Sequence, residues 1–301
     1  MRTIFYNTLT TWFQWLRPES ISAIGKTIGK IMWYCLPSRK KTAQKSIDYH
    51  IQDKDKNAKE LAYASFIHSG QSFMELFMAR DFDYRFMSSR IKIDSPGNLE
   101  FIKKVDRPII ATTGHFGAWE LLAGILRLNF NDRKSQIIVK EPKDPGLNNI
   151  LKHYRSHFGV EVVSKDNATF KVLRCLKREG VSAFLVDQNT VRSKAMFLPF
   201  LNDYAAINIG PALLALRSNA LIWPAFLLRD TNTQYTFYSF EALDTKELTG
   251  TTEEKVEKAA LFYTRAVEEM IKKFPEQWFW MHKRWKTRPK WEIEGRNHKA
   301  R

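Results

Sequence analysis

The sequence predicts an α/β fold: a mostly parallel sheet flanked by helices, preceded by a helical, membrane-associated N-terminal region. Three observations carry this reading. Short apolar runs alternate with helical stretches from residue 107 onward. Residues 4–36 are rich in Ile, Phe, Trp and Leu but are interrupted by Arg17, Glu19, Lys26 and Lys30. The composition, 44% apolar and 27% charged over 301 residues, is that of a folded globular chain and excludes extensive disorder.

The N-terminal segment contains no uncharged run of the ~20 residues that a spanning helix needs. It also lacks a small-residue cleavage site after an apolar core, which argues against a signal peptide. Ile21, Ile24, Ile28, Ile31, Met32 and Cys35 fall on one helical face, and Lys26 and Lys30 on another. That pattern suits a helix lying in the membrane interface, with Trp12, Trp15, Trp33 and Tyr34 crowding the same region. The alternative is an amphipathic helix packed on the core. Arg39-Lys40-Lys41 follows Pro37, then a polar stretch from Asp53 to Lys59, then a helix carrying Leu61, Phe66, Phe73, Leu76 and Phe77.

From residue 107 the elements come in order. Pro108–Thr112 reads as a strand, Gly117–Leu128 as a helix and Gln136–Val139 as a strand. Asp144 with Pro145 reads as a helix start, and Leu147, Ile150, Leu151, Tyr154 and Phe158 line that helix's apolar face. Val160–Val163, a helix near 166–178 and Val181–Val186 continue the alternation. Gly210-Pro211 opens another helix, Leu221–Leu228 and Gln234–Phe240 are strands, and 252–273 is a charged helix. Residues 1–95 are thus the helical region and 96–301 the α/β domain. No linker separates them, so they are expected to form one structural unit. Cys35 and Cys175 sit in apolar stretches, far from each other and from any histidine cluster. Neither a disulfide framework nor a zinc site is expected, and a reducing, cytoplasm-facing compartment fits.

The most specific local signal is Gly114-His115-Phe116-Gly117-Ala118-Trp119-Glu120, set where a strand ends and a helix begins. Ligands bind at that edge of open α/β sheets. On one continuous helix His115 and Glu120 would point about 140° apart. They meet only if the chain turns between them, which Gly114 and Gly117 permit. A carboxylate on one ring nitrogen fixes the tautomer and leaves the other nitrogen as a base. The alternative is a histidine capping a buried turn beside a surface glutamate. Asp187 and Gln188 close a strand at the same edge, where strand-end capping is the simpler reading. His153 and His157 are spaced for a metal, but no third ligand accompanies them and a solvated helix face suits them better.

With these residues in view, the chain resembles the lipid A biosynthesis acyltransferases, the lauroyl and myristoyl late acyltransferases. These belong with the wider glycerolipid and lysophospholipid acyltransferases that carry a His-x4-Asp/Glu motif. The resemblance continues through Val186-Asp187-Gln188, Leu198-Pro199-Phe200 and Gly210-Pro211-Ala212. It ends in Pro275-Glu276-Gln277-Trp278-Phe279-Trp280 with His282, Arg284, Trp285 and Lys286. It implies transfer of a fatty acyl chain from a thioester, acyl carrier protein or acyl-CoA, onto a hydroxyl of an anionic lipid A precursor. His115 would take the hydroxyl proton, and Glu120 would orient His115 and stabilise its cation. It further implies that Gly117, Arg155, Asp187, Gln188 and Arg284 bind substrate, Arg155 through a phosphate or an oxyanion. No cofactor, no metal and no covalent intermediate on Cys175 is implied. The implied location is the cytoplasmic face of a bacterial inner membrane. The chain departs from the family at Asn202, where a glycine commonly follows the Pro-Phe pair, and at Ile207, where a threonine is usual.

The net charge, +16 from 48 Lys and Arg against 32 Asp and Glu, favours anionic partners. An acidic carrier protein, a lipid headgroup and nucleic acid all qualify. Trp278, Trp280, Trp285 and Trp291 among Lys283, Arg284, Lys286, Arg288 and Lys290 suit a nucleic-acid surface or a headgroup belt. A nucleic-acid binder needs no His115–Glu120 block, so catalysis is favoured over binding alone. Acylation of another membrane lipid, a phosphoglycolipid or an amino-acid lipid, remains the alternative within the same chemistry.

Overall fold

A computed structural model describes Phe13, residues 15–51 and residues 57–292. Trp12 and part of the polar stretch after Asp53 lie outside them. Three helices come first: α1 (Pro18–Cys35), α2 (Pro37–His50) and α3 (Ala58–Glu75). Pro37 ends the first and starts the second. It has no N–H to continue α1, and it drives Leu36 out of helical geometry to φ −117°, ψ 63°. Next come α4 (Tyr84–Arg90), β1 (Ile91–Ile93), α5 (Pro96–Lys104) and β2 (Ile109–Thr113). A 3-10 turn at Trp119–Leu121 leads into α6 (Leu122–Asn129). The chain continues through β3 (Ser135–Val139), α7 (Pro145–His157), β4 (Glu161–Ser164), α8 (Ala168–Leu176) and β5 (Val181–Leu185). A hairpin of β6 (Ala195–Phe200) and β7 (Asp203–Asn208) precedes α9 (Gly210–Ser218) and β8 (Leu221–Arg229). The described elements close with β9 (Tyr235–Ser239), β10 (Leu243–Asp244), α10 (Thr252–Lys273) and a 3-10 turn at Pro275–Gln277.

Local signals set several of these boundaries. Asp144 accepts from the Leu147 N–H at the start of α7. Thr251 and Glu254 form a reciprocal capping box at the start of α10. The β6–β7 hairpin and β1 are not visible in the hydrophobic pattern. The hairpin lacks a clean alternation, and β1 is too short to show one.

The strands form one sheet in the order β1-β9-β8-β2-β5-β3-β4, with β10 also pairing on β8. β8, β2, β5, β3 and β4 are parallel; β9 runs against β8 and β1 follows β9. The expectation of a mostly parallel sheet flanked by helices therefore holds. Alternate side chains divide between two cores: Ile110, Ile222, Phe226 and Leu228 face one, and Ile109, Ala111, Trp223 and Leu227 the other. Residues of α8, α9 and α10 cover the first face, and residues of α5, α6 and α7 the second.

α1 does not bury the face its apolar spacing suggests. Its buried positions are Ile21, Ser22, Gly25, Gly29 and Trp33. Ile24, Ile28 and Met32 are half-buried, while Ile31 and Cys35 are exposed, so Cys35 is not in apolar surroundings. The reason is close packing on α3. A Cβ on Gly25 would lie 2.5 Å from Gln71 Cα, one on Gly29 2.5 Å from Phe66 O, and one on Gly70 2.5 Å from Gly29 N. Three glycines let the two backbones touch, and Ile31 and Tyr34 are turned outward. Among the described residues, no helix is long and apolar enough to cross a membrane.

Gly70→Ala is expected to destabilise the protein by about 1–3 kcal/mol, because the overlap outweighs a helix-propensity gain of about 0.5–1 kcal/mol. Gly97→Ala is the control, with nothing within 4 Å of the added Cβ. Thermal unfolding of both decides: a Gly70→Ala protein melting with the parent would show that α1 and α3 separate freely.

Candidate active site

His115 lies two residues beyond β2, and Asp187 two residues beyond the neighbouring parallel strand β5. The register pairs Thr113 with Leu185, and the Val186 N–H donates to Thr113 O at 2.9 Å. Parallel strands in register carry residues the same distance past their ends to the same level. That brings Asp187 to His115 at the carboxyl edge of the sheet. Asp187 Oδ2 accepts the His115 backbone N–H at 2.9 Å and the Trp278 Nε1–H at 2.8 Å, while Oδ1 lies 2.8 Å from His115 Nδ1.

Asp187 is only 3% exposed. Burial pushes its carboxyl up, but the His115 charge, the His115 hydrogen bonds and Trp278 outweigh it and hold the carboxyl at about 2. An ionised Asp187 requires Nδ1 of His115 to be the donor, so in the neutral ring the lone pair lies on Nε2. Gln188 Nε2 stands 3.1 Å from His115 Nε2 and donates to it.

The turn carrying His115 is held on every side. Gly117 has φ +45°, and a Cβ there would lie 2.5 Å from Leu227 O, so only glycine fits. Its N–H donates to Gln277 O at 3.2 Å, and Ala118 N–H to Leu227 O at 2.9 Å. The His115 carbonyl accepts from Phe279 N–H at 3.1 Å. The Gly117 carbonyl accepts from Ser72 Oγ and from Arg229 Nη2. Both Gly117 backbone groups are thus bonded within the protein, which gives Gly117 a role in the turn.

Glu120 is not bonded to the ring. The chain turns as expected, but Glu120 faces Arg155, whose Nε and Nη2 donate to its two oxygens at 3.0 and 2.7 Å. The ring-orienting carboxylate is Asp187, which the sequence offered only as a substrate-binding residue. Burial acts to raise the Glu120 carboxyl, and the charge and hydrogen bonds of Arg155 overcome it, with lesser help from Trp119 and the His115 charge. Arg284, also expected to bind substrate, is 1% exposed. Its Nη1 donates to Ala206 O at 2.8 Å and its guanidinium lies 4.9 Å from the centre of the Phe200 ring, so it is an interior residue.

Two aromatic rings pack on His115, and a third packs on both of them. Trp119 and Phe279 lie 5.3 and 5.9 Å from its ring centre, and Phe73, which is exposed, contacts both. The roles of Trp278 and Phe279 in holding Asp187 and His115 were missed from the sequence, although Pro275–Trp280 stands out there. Ser72, Glu75 and Arg229 left no sequence signal. Two clefts, of about 750 and 700 Å³, are lined by residues of α9 and α10 such as Arg217, Lys255 and Arg265, and neither is lined by His115 or Asp187. His153 and His157 are exposed on α7.

The family model for bacterial lipid A biosynthesis acyltransferase matches residues 2–287. The chain belongs to this family. The lipid A biosynthesis palmitoleoyltransferase of Escherichia coli (strain K12) is 23% identical over 274 residues, which cover 88% of this chain and 85% of that protein. The lipid A biosynthesis acyltransferase of Shigella flexneri is likewise 23% identical over 274 residues, with the same coverage. The lipid A biosynthesis lauroyltransferase of Escherichia coli (strain K12) is 22% identical over 272 residues, covering 89% of this chain and 86% of that protein. This family member is therefore an acyltransferase, and its His115 block occupies the sheet edge described above.

His282 adds a pH dependence to the site. Its Nε2 accepts the Asn189 N–H at 3.0 Å, and burial pushes its pKa down to about 4. The fold thus favours the neutral ring, whereas the unfolded chain protonates near pH ~6.5. The His282 contribution to stability is complete above that pH and is lost as pH falls towards about 4. His282→Gln is expected to lessen the loss of stability between about pH 6.5 and pH 4. Urea unfolding across that window measures it, and a pH dependence equal to the parent's would contradict the assignment.

Proposed function

We propose that this acyltransferase moves a fatty acyl chain from a thioester, acyl carrier protein or acyl-CoA, onto a hydroxyl of an anionic lipid A precursor. His115 acts as general base. The observation that carries this is the fixed tautomer: buried, ionised Asp187 holds Nδ1 and leaves the Nε2 lone pair outward. The incoming hydroxyl displaces the Gln188 amide, donates to Nε2 and attacks the thioester carbonyl. As the oxygen–carbon bond forms, the proton passes to Nε2; collapse of the intermediate breaks the carbon–sulfur bond, and the departing thiolate takes that proton from Nε2, leaving as the thiol and restoring the neutral ring. Asp187 stabilises the imidazolium directly and Glu120 does so through space. Two nitrogens of Arg155 are committed to Glu120, which leaves Nη1 to meet a phosphate or the developing oxyanion.

The +16 charge supports an acidic carrier and a phosphorylated lipid as the partners. The outward residues of the N-terminal region support a membrane surface as the place of reaction: Trp15 is 75% exposed and Tyr34 77%, with Ile31 and Leu36 beside them. In the cell that surface is the cytoplasmic face of the inner membrane.

In an assay with purified enzyme, acyl carrier protein donor and a lipid A precursor, His115→Ala is expected to lower the rate ~10² to 10⁴-fold with the fold intact. Asp187→Asn should lose more than Glu120→Gln, since only Asp187 touches the ring. A Glu120→Gln protein slower than Asp187→Asn would return the orienting role to Glu120, and a fully active His115→Ala protein would end the base mechanism.

Membrane contact is tested by point substitutions, because deleting residues 1–36 would strip α3 of its partner. Trp15→Ser, Ile31→Ser and Tyr34→Ser together should weaken co-sedimentation with vesicles containing anionic phospholipid while leaving the melting temperature unchanged. Undiminished binding by that variant would remove this face from the membrane contact.

A further inference from the structure

A second ion pair lies directly behind the catalytic turn. Arg229, the last residue of β8, is 4% exposed, and Glu75, the last residue of α3, is 0% exposed. Arg229 Nε donates to Glu75 Oε1 at 2.8 Å and Nη2 donates to Oε2 at 2.7 Å. Tyr235 OH donates to the same carboxylate at 3.1 Å, and His68 Nδ1 accepts from Arg229 Nη1 at 2.7 Å. The guanidinium also reaches forward. Its Nη2 donates to the Gly117 carbonyl at 3.0 Å and to Ser72 Oγ at 3.2 Å. Ser72 Oγ in turn donates to that same carbonyl.

Stability alone does not account for such a pair. Replacing a buried ion pair with well-packed apolar residues is often neutral or stabilising. What an apolar pair cannot do is hold a carbonyl in place from a fixed direction. Gly117 is two residues from His115, at the one position of the turn with positive φ. The orientation of its peptide sets the exit of the turn, and the Gln277 side chain fixes the Arg229 backbone on both its N–H and its carbonyl. The Gly117 peptide is therefore gripped at its carbonyl by a charged donor that is itself immobile.

We infer that Glu75 and Arg229 are positioning residues for the transfer reaction: through the Gly117 carbonyl they aim His115 Nε2 at the incoming hydroxyl. This rests on the reading of His115 as the base. Displacement of a catalytic group by about 1 Å costs on the order of 10²-fold in rate.

The test is the paired variant Glu75→Leu/Arg229→Met, which removes both charges at once and leaves neither uncompensated. The assay uses the full-length enzyme with acyl carrier protein thioester and lipid A precursor. The expected result is a melting temperature near the parent's, kcat about 10- to 100-fold lower and KM within about twofold. Adding His115→Ala to that background should cost several-fold less than it costs the parent, because the base is already misaimed. Parental kcat, or losses that simply multiply with those of His115→Ala, would overturn the inference. If the paired variant does not fold, Ser72→Ala decides, since it removes one of the two donors to the Gly117 carbonyl and no charge: a loss of kcat of threefold or more at unchanged KM and melting temperature supports the inference, and parental kcat overturns it. An inactive paired variant alongside a fully active His115→Ala protein would instead mean that the base reading, not the clamp, had failed.

Discussion

A carboxylate taken out of water must be compensated, and the arrangement around Asp187 follows from that requirement. Three donors converge on its two oxygens: the His115 backbone, the His115 ring and the Trp278 indole. They come from two distant parts of the protein: the first two from His115 beyond the end of β2, the third from the segment after α10. The compensation that keeps Asp187 charged therefore also ties the C-terminal Trp278-Phe279 pair to the sheet edge and fixes the ring of His115. Removing any one donor leaves the others holding a less stable anion, so the group behaves as a unit.

The same economy recurs around the turn. Glu120–Arg155 lies on one side of it and Glu75–Arg229 on the other, each with two-point guanidinium–carboxylate geometry. Buried ion pairs contribute little net stability, since desolvation offsets most of the attraction. Their value is directional. Two guanidiniums and one buried carboxylate restrict the backbone between Gly114 and Glu120 to one path, in which glycine supplies the positive φ at position 117.

The N-terminal helices connect this centre to the surface. α3 supplies Ser72 and Glu75 to the turn and, through Gly70, accepts the glycine face of α1. Because Ser22, Gly25 and Gly29 take up the inward face of α1 with Ile21 and Trp33, Ile31 and Tyr34 point out. The packing that supports the His115 turn also leaves Ile31 and Tyr34 on the surface of a protein with net charge +16.

Local signals were legible in the sequence. The strand–helix alternation after residue 107, the helix at 252–273, the Asp144 cap and the His115 turn depend on period, capping and glycine placement within a few residues. The departures at Asn202 and Ile207 fall in the β6–β7 hairpin, where Asn202 bonds His50 and Ile207 is buried. The sequence pattern did not reveal that hairpin. What it could not decide was which distant groups meet. Asp187 reaches His115 across 72 residues only because β5 is inserted beside β2, and Arg229 reaches Glu75 across 154 residues only because α3 packs behind β8. Nor could apolar spacing show which face of α1 is buried, since close approach of two backbones selects the absence of side chains, and that absence carries no hydrophobic signal. The nature of the chemistry was written in residue types and local turns. Which carboxylate serves the histidine was decided by strand order, because only folding brings two strand ends to the same level.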